Sequence, residues 1–188
     1  MNDTLKTISM RFSCRSYISD SVDRQKLEQI GMAALQSPSS KNSQNWEVII
    51  INNKQLMDEL NEAAMEHLRM IDEGTYGRIM EKSGGKMFYN APSMALVLRT
   101  PNAHEEVALD CGIVAQNIAL AAQSLGVNNV IARSTEFPFL SQNGEALKAR
   151  VGWKEGYSYG IGVLLGYAVQ EQVRPPHEPK PEKLSFVD

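Results

Sequence analysis

The longest unbroken apolar pattern in the chain begins at Val107, where Val107, Cys111, Val114, Ile118, Ala121 and Leu125 recur at 4-3-4-3-4 spacing. That spacing marks one face of an α-helix. Leu109, Ile113, Ala119 and Leu120 populate the other faces, so the helix is expected to be buried on several sides, as the centre of the core. Gly126 suits its carboxyl end, because glycine enters a left-handed cap conformation at little cost. The chain has 188 residues, enough to bury such a core within one domain spanning 1–188.

Apolar residues at 43% and charged residues at 22% fit a globular chain and exclude a disordered or fibrous one. Nineteen Lys and Arg against 22 Asp and Glu give a net charge of −3, with the basic residues scattered. This argues against a nucleic-acid surface and leaves small molecules as expected partners. No apolar run reaches 18 residues and the first residues lack the apolar core of a signal peptide, so no membrane segment and a cytoplasmic location are expected. Cys14 and Cys111, with His67, His104 and His177, show no metal-ligand spacing. Neither a disulfide framework nor a protein-bound metal is expected.

Helices and strands alternate along the rest of the chain. Residues 22–35 place Leu27, Ile30, Gly31 and Ala34 on one helical face, with Pro38 as a hard stop. Residues 46–51 read as a buried strand, 54–71 as a helix, and 93–99 and 127–132 as strands, with a short helix at 145–150. Residues 72–90 lose periodicity and hold Gly74, Gly77, Gly84 and Gly85, so a mobile excursion over the surface is expected, with room for a short helical piece, a candidate lid. Residues 157–167 predict a strand whose Gly160, Gly162 and Gly166 permit close approach by a backbone or a ligand. Pro175, Pro176, Pro179 and Pro181 keep the tail extended, and the apolar alternation at 184–187 is too short to stand alone. It could join its own sheet or a second subunit's. On pattern alone the alternation suggests a doubly wound parallel sheet, yet neither GxGxxG nor a Walker lysine loop is present.

Two polar clusters stand out. In Arg11-Phe12-Ser13-Cys14-Arg15-Ser16-Tyr17, two guanidinium groups four residues apart flank hydroxyls, the donor set of a phosphate clamp. A solvated face with surface ion pairs would show the same spacing. Residues 37–46, Ser-Pro-Ser-Ser-Lys-Asn-Ser-Gln-Asn-Trp, gather hydrogen-bonding side chains before a strand, which suits a planar heteroaromatic ligand or an ordinary polar turn. Cys111 reads as a packed thiol, and Cys14, where nearby arginines would favour thiolate, as a residue without a catalytic role.

Together the clusters resemble the nitroreductase family of FMN-dependent flavoproteins. Arg-x-Ser-x-Arg-x-aromatic is matched from Arg11 to Tyr17, and Pro-Ser-Ser-x-Asn-x-Gln-Pro-Trp from Pro38 to Trp46, with Asn45 where proline is usual. Asn90-Ala91-Pro92, Asp110-Cys111-Gly112 and Gly166-Tyr167 extend the similarity. The resemblance implies an α+β sandwich on a mainly antiparallel central sheet flanked by helices. It also implies a homodimer exchanging its C-terminal strand through an arm at 170–188, with FMN sites at the interface. Carried over, Arg11, Ser13 and Arg15, assisted by the Phe12 backbone, would hold the FMN phosphate and ribityl chain. Pro38, Ser39, Ser40 and Asn42 would line the isoalloxazine from the other subunit, with Gln44 a further candidate and Lys86 near the pyrimidine edge. A basic residue at the phosphate would come from Arg174, His177, Lys180 or Lys183.

The activity so implied is transfer of a hydride from NADH or NADPH to flavin N5, then to a small-molecule electron acceptor such as a nitroaromatic or quinone. The cofactor carries the redox chemistry, so no general acid or base is assigned. Reductive dehalogenation or flavin destruction on the same scaffold, and a non-catalytic flavin-binding module, are the alternatives.

Overall fold

The computed structural model describes residues 1–173, 175 and 177–187. In chain order come α1 (Asp3–Met10), α2 (Arg24–Leu35), a 3₁₀ turn at Ser40–Asn42, β1 (Trp46–Ile51), α3 (Lys54–Ile71), α4 (Glu73–Ser83), β2 (Ser93–Arg99) and α5 (Val107–Ser124). There follow β3 (Asn128–Ala132), a 3₁₀ segment at Arg133–Leu140, α6 (Gly144–Val151) and β4 (Ser158–Gly166). Side-chain oxygens of Asn2, Asp23 and Asn53 cap α1, α2 and α3.

The sheet runs β1-β2-β4-β3, and every neighbouring pair is antiparallel. The α+β architecture implied by the resemblance is therefore present, and the parallel sheet suggested by alternation alone is not. The helix connections explain the difference. Between β1 and β2 the chain goes out along α3 and back along α4, so it re-enters the sheet where it left and must run antiparallel. Between β2 and β3 the single helix α5 returns the chain to its starting end, and these two strands do point the same way. β4 then inserts between them, antiparallel to both.

Alternation along the strands divides the core. Ala95, Val97, Val163 and Leu165 face α2 and α5, joining Leu27, Ile30, Val114 and Ile118. Met94, Leu96, Leu98 and Leu164 face the opposite layer with Met57, Leu60 and Leu68 of α3, Phe139 and Leu147. β2 is thus buried on both sides, which is why it reads as a continuous apolar run.

The central helix, expected to be buried on several sides, keeps one side open. Its Leu109 is 68% exposed, and Gly112 and Gln116 are exposed beside it. Leu5, Ile8 and Met10 of α1 also lie open. The 72–90 excursion is corrected too, since most of it is the regular helix α4. Asp72 starts that helix by accepting from the Thr75 N–H at 2.9 Å, and Gly84 ends it at φ +61°. No residue of α4 is buried, so no apolar stripe announced it.

The β4 glycines admit side chains of this same chain. A Cβ at Gly162 would lie 2.1 Å from Thr135 Oγ1, and one at Gly160, the bulge residue opposite Val97 and Leu98, would lie 2.8 Å from Cys111 Sγ. Thr135 cannot retreat, because it is fully buried and pairs with Tyr159 Oη at 2.8 Å and the Ala132 carbonyl at 2.7 Å. Gly162→Ala should therefore cost about 1–3 kcal/mol of stability, the range for overpacking a filled core. A urea midpoint equal to that of the parent would contradict this packing.

Beyond β4 the tail forms 3₁₀ turns at Gln170–Gln172 and Pro181–Lys183, and among the described residues, 184–187 pair with no strand. Among the described residues, no helix is long and apolar enough to cross a membrane.

Candidate functional site

Residues 11–15 run extended beside β3, held by a parallel bridge between Ser13 and Asn129 and by the Cys14 N–H donating to the Asn129 carbonyl at 2.9 Å. Extended backbone sends alternate side chains to opposite sides. Phe12 and Cys14 enter the core, leaving half-buried Arg11, half-buried Ser13 and exposed Arg15 on the other side. Among the described residues neither guanidinium pairs with a carboxylate; the acidic partners go to Arg24, Lys54, His104, Arg133, Lys148, Arg150 and Lys154. The solvated-face reading that invoked ion pairs is thereby weakened. What remains is two free cations and a hydroxyl on one side of a fixed strand, a donor set complementary to a phosphate.

The thiol between them is not activated. Burial pushes the Cys14 thiol up, outweighing the opposing influence of Arg15, and its S–H donates to the Ser16 carbonyl at 3.3 Å. Burial also pushes Cys111 up, to about 11.

The second cluster forms a tight, strained loop. Lys41, Asn42 and Gln44 take φ of +52°, +53° and +48°, a region that side chains other than glycine enter at a cost. The loop braces itself: the Gln44 N–H donates to Ser39 Oγ at 3.0 Å, and Gln44 Nε2 donates to Asn42 Oδ1 at 3.1 Å. Ser39 and Ser40 are half-buried, whereas Pro38, Asn42 and Gln44 are exposed. Three ties bind the loop to the body. Asn117 Nδ2 donates to Ser37 Oγ at 2.9 Å, Ser43 Oγ meets His104 Nε2 at 3.1 Å, and the Thr100 N–H donates to the Asn45 carbonyl at 3.1 Å. Asn45, at the usual proline position, adds a side-chain contact that proline lacks, with Thr100 Oγ1 donating to its Oδ1 at 3.5 Å.

No bridge, hydrogen bond or ion pair joins the two clusters within one chain among the described residues. The Asn90-Ala91-Pro92 element does reach the first cluster. Asn90 Nδ2 donates to the Tyr17 carbonyl at 3.2 Å, and the Tyr17 N–H donates to the Tyr89 carbonyl at 3.0 Å, with Tyr89 and Asn90 both at positive φ. Lys86, in the turn before it, is exposed. His177, Lys180 and Lys183 are exposed, and Arg174 lies outside the described residues. The strained backbone and the His104 tie were not anticipated, because no glycine marks the first and 61 residues separate the partners of the second.

Comparison with known proteins agrees with this geometry. A nitroreductase family model matches residues 8–159. A protein of Archaeoglobus fulgidus, provisionally named NADH dehydrogenase/NAD(P)H nitroreductase, is 27% identical over 176 residues, covering 92% of this chain and 89% of its own. A Desulfitobacterium hafniense nitroreductase solved with bound FMN is 42% identical, with a TM-score of 0.91 over 100% of both chains. A Bacteroides fragilis nitroreductase structure shares the fold at 22% identity and a TM-score of 0.89, again over 100% of both chains. The match runs through both polar clusters and most of the sheet: the chain belongs to the nitroreductase family.

Proposed function

We propose that the protein is an FMN-dependent oxidoreductase that takes a hydride from NADH or NADPH and delivers it to an electron-poor small molecule such as a nitroaromatic or quinone. The carrying observation is the unpaired face of Arg11, Ser13 and Arg15 on a fixed extended segment. Its donors fit a phosphate, and the amides and hydroxyls of the strained loop fit a ring bearing nitrogens and carbonyls. Bound FMN would supply a two-electron relay between nicotinamide and acceptor.

In this reading Arg11 and Arg15 grip the phosphate, Ser13 and the Phe12 backbone assist along the ribityl chain, and Pro38, Ser39, Ser40 and Asn42 line the ring, with Gln44 bracing Asn42. Lys86 would approach the pyrimidine edge, and one of Arg174, His177, Lys180 or Lys183 the phosphate. The two clusters come from different subunits of a homodimer, in keeping with the absence, among the described residues, of any bridge, hydrogen bond or ion pair between them in one chain. The exposed apolar residues of α1 and α5 and the unpaired segment 184–187 are the surfaces such a dimer would cover. The cytoplasm, where reduced nicotinamides are available, is the proposed location.

Asn42→Gly removes the amide without adding strain at φ +53°. It should leave FMN bound while changing the rate of flavin reduction; unchanged kinetics would take Asn42 away from the ring. The reading as a whole is tested by the purified protein's visible spectrum and by chromatography of what heat releases from it. FMN near one per chain is the expected result, and a colourless protein that takes up no FMN would contradict it.

A further inference from the structure

The amino end of α5 holds a buried polar group that the flavin chemistry does not use. Asp110 is only 4% exposed, in the first turn of the helix, where the helix dipole favours a carboxylate. A buried carboxylate requires a partner. Its one ionic contact among the described residues is His104 Nε2, 3.1 Å from Oδ2, and Oδ2 has no aligned hydrogen bond. The same Nε2 meets Ser43 Oγ at 3.1 Å. Nε2 thus sits between the two oxygens, in hydrogen-bond geometry with Ser43 Oγ and at ion-pair distance from the carboxylate, with the imidazole tautomer setting which of Nε2 and Oγ donates.

Ser43 stands between Asn42 and Gln44, two of the three left-handed residues of the loop. The hydrogen bond from Gln44 Nε2 to Asn42 Oδ1 spans it. Holding Ser43 therefore holds both flanking amides, whereas the ties at Ser37 and Asn45 act only at the loop's ends.

We propose that His104 is a positioning residue for the flavin site: it hangs the middle of the 39–45 loop, through Ser43, from the buried carboxylate of Asp110. The proposal rests on the reading that this loop lines the flavin ring. Its consequence is that the ring's polar contacts are set from α5, the most deeply packed helix of the layer, and not by the strained loop alone.

The test compares Ser43→Ala, Ser43→Thr and His104→Gln in the FMN-loaded protein. Two quantities are read: the rate of FMN release on dilution, and hydrogen–deuterium exchange of residues 39–45. Ser43→Ala keeps the His104–Asp110 pair and cuts only the tie, so FMN release should quicken about three- to tenfold, as for one lost hydrogen bond. Exchange in the loop should quicken with it. Ser43→Thr, which retains the hydroxyl, and His104→Gln, which retains a nitrogen donor, should return both readings toward the parent. Parent-like release and exchange in Ser43→Ala would overturn the proposal, and so would equal losses in Ser43→Ala and Ser43→Thr. A parent protein holding no FMN would overturn the flavin reading instead, and loop exchange in the variants would still decide whether the tie exists.

Discussion

Deleting residues 170–188 should abolish both the proposed dimer and flavin binding. Every described residue from 170 onward is exposed where its side chain is described, so the deletion leaves the core of the single chain intact. What it removes includes apolar side chains left open in the single chain: Leu184, Phe186 and Val187 are 67%, 82% and 98% exposed. An isolated strand has no stability in water, and such a segment gains it only by joining a sheet. β1 offers the edge. It is the outer strand of the sheet, six residues long, with Val48, Ile49 and Ile50 half-buried and its far side without a strand partner among the described residues. Natural proteins seldom leave so apolar an edge uncovered. If the second copy's tail covers it, flavin binds the assembled state alone, and occupancy at 100 times Kd would add about 2.7 kcal/mol to assembly. Light scattering after size exclusion, read with flavin absorbance, decides the matter. A truncated protein that is still dimeric and fully yellow would rule out strand exchange as the basis of assembly.

Arg15→Ala should weaken FMN binding by about 1.5–3 kcal/mol, roughly ten- to 150-fold, against about 1 kcal/mol for Ser13→Ala. A charge-assisted contact to phosphate is lost in the first case and a neutral one in the second. Arg15 is exposed and makes no ion pair among the described residues, so its removal should change the fold's stability by less than about 0.5 kcal/mol, and the effect can be read as binding. Titration of FMN into each apoprotein measures the two losses. Equal or negligible losses would mean that the phosphate is held elsewhere.

The elements that could be read in advance are those with a buried stripe and clear punctuation. The strands 46–51 and 93–99 and the helix 54–71 lie where apolar runs and flanking Asn and Pro placed them. α1 and α4 bury no residue, so no periodicity announces them, and only their caps, Asn2 and Asp72, mark where they start. Strand direction was beyond reach for another reason: helix–strand alternation is identical whether one helix or a helical pair connects two strands. In the first polar cluster the i, i+2, i+4 spacing of Arg11, Ser13 and Arg15 is enough to put the three on one side, since an extended segment keeps those side chains together. The loop did not. Lys41, Asn42 and Gln44 adopt left-handed backbone without a glycine to signal it, and the tie from Ser43 through His104 to Asp110 joins parts of the chain with no local pattern in common.

The proposed activity has two halves, binding of FMN and its reduction by a nicotinamide. Mixing the FMN-loaded protein with NADH, and separately with NADPH, under anaerobic stopped flow tests both halves at once. Rapid bleaching of the visible flavin band by at least one donor is expected, with its return when a quinone or nitroaromatic is added. A protein that stays yellow with both donors would be a flavin-binding module without this activity, contradicting the proposed oxidoreductase function.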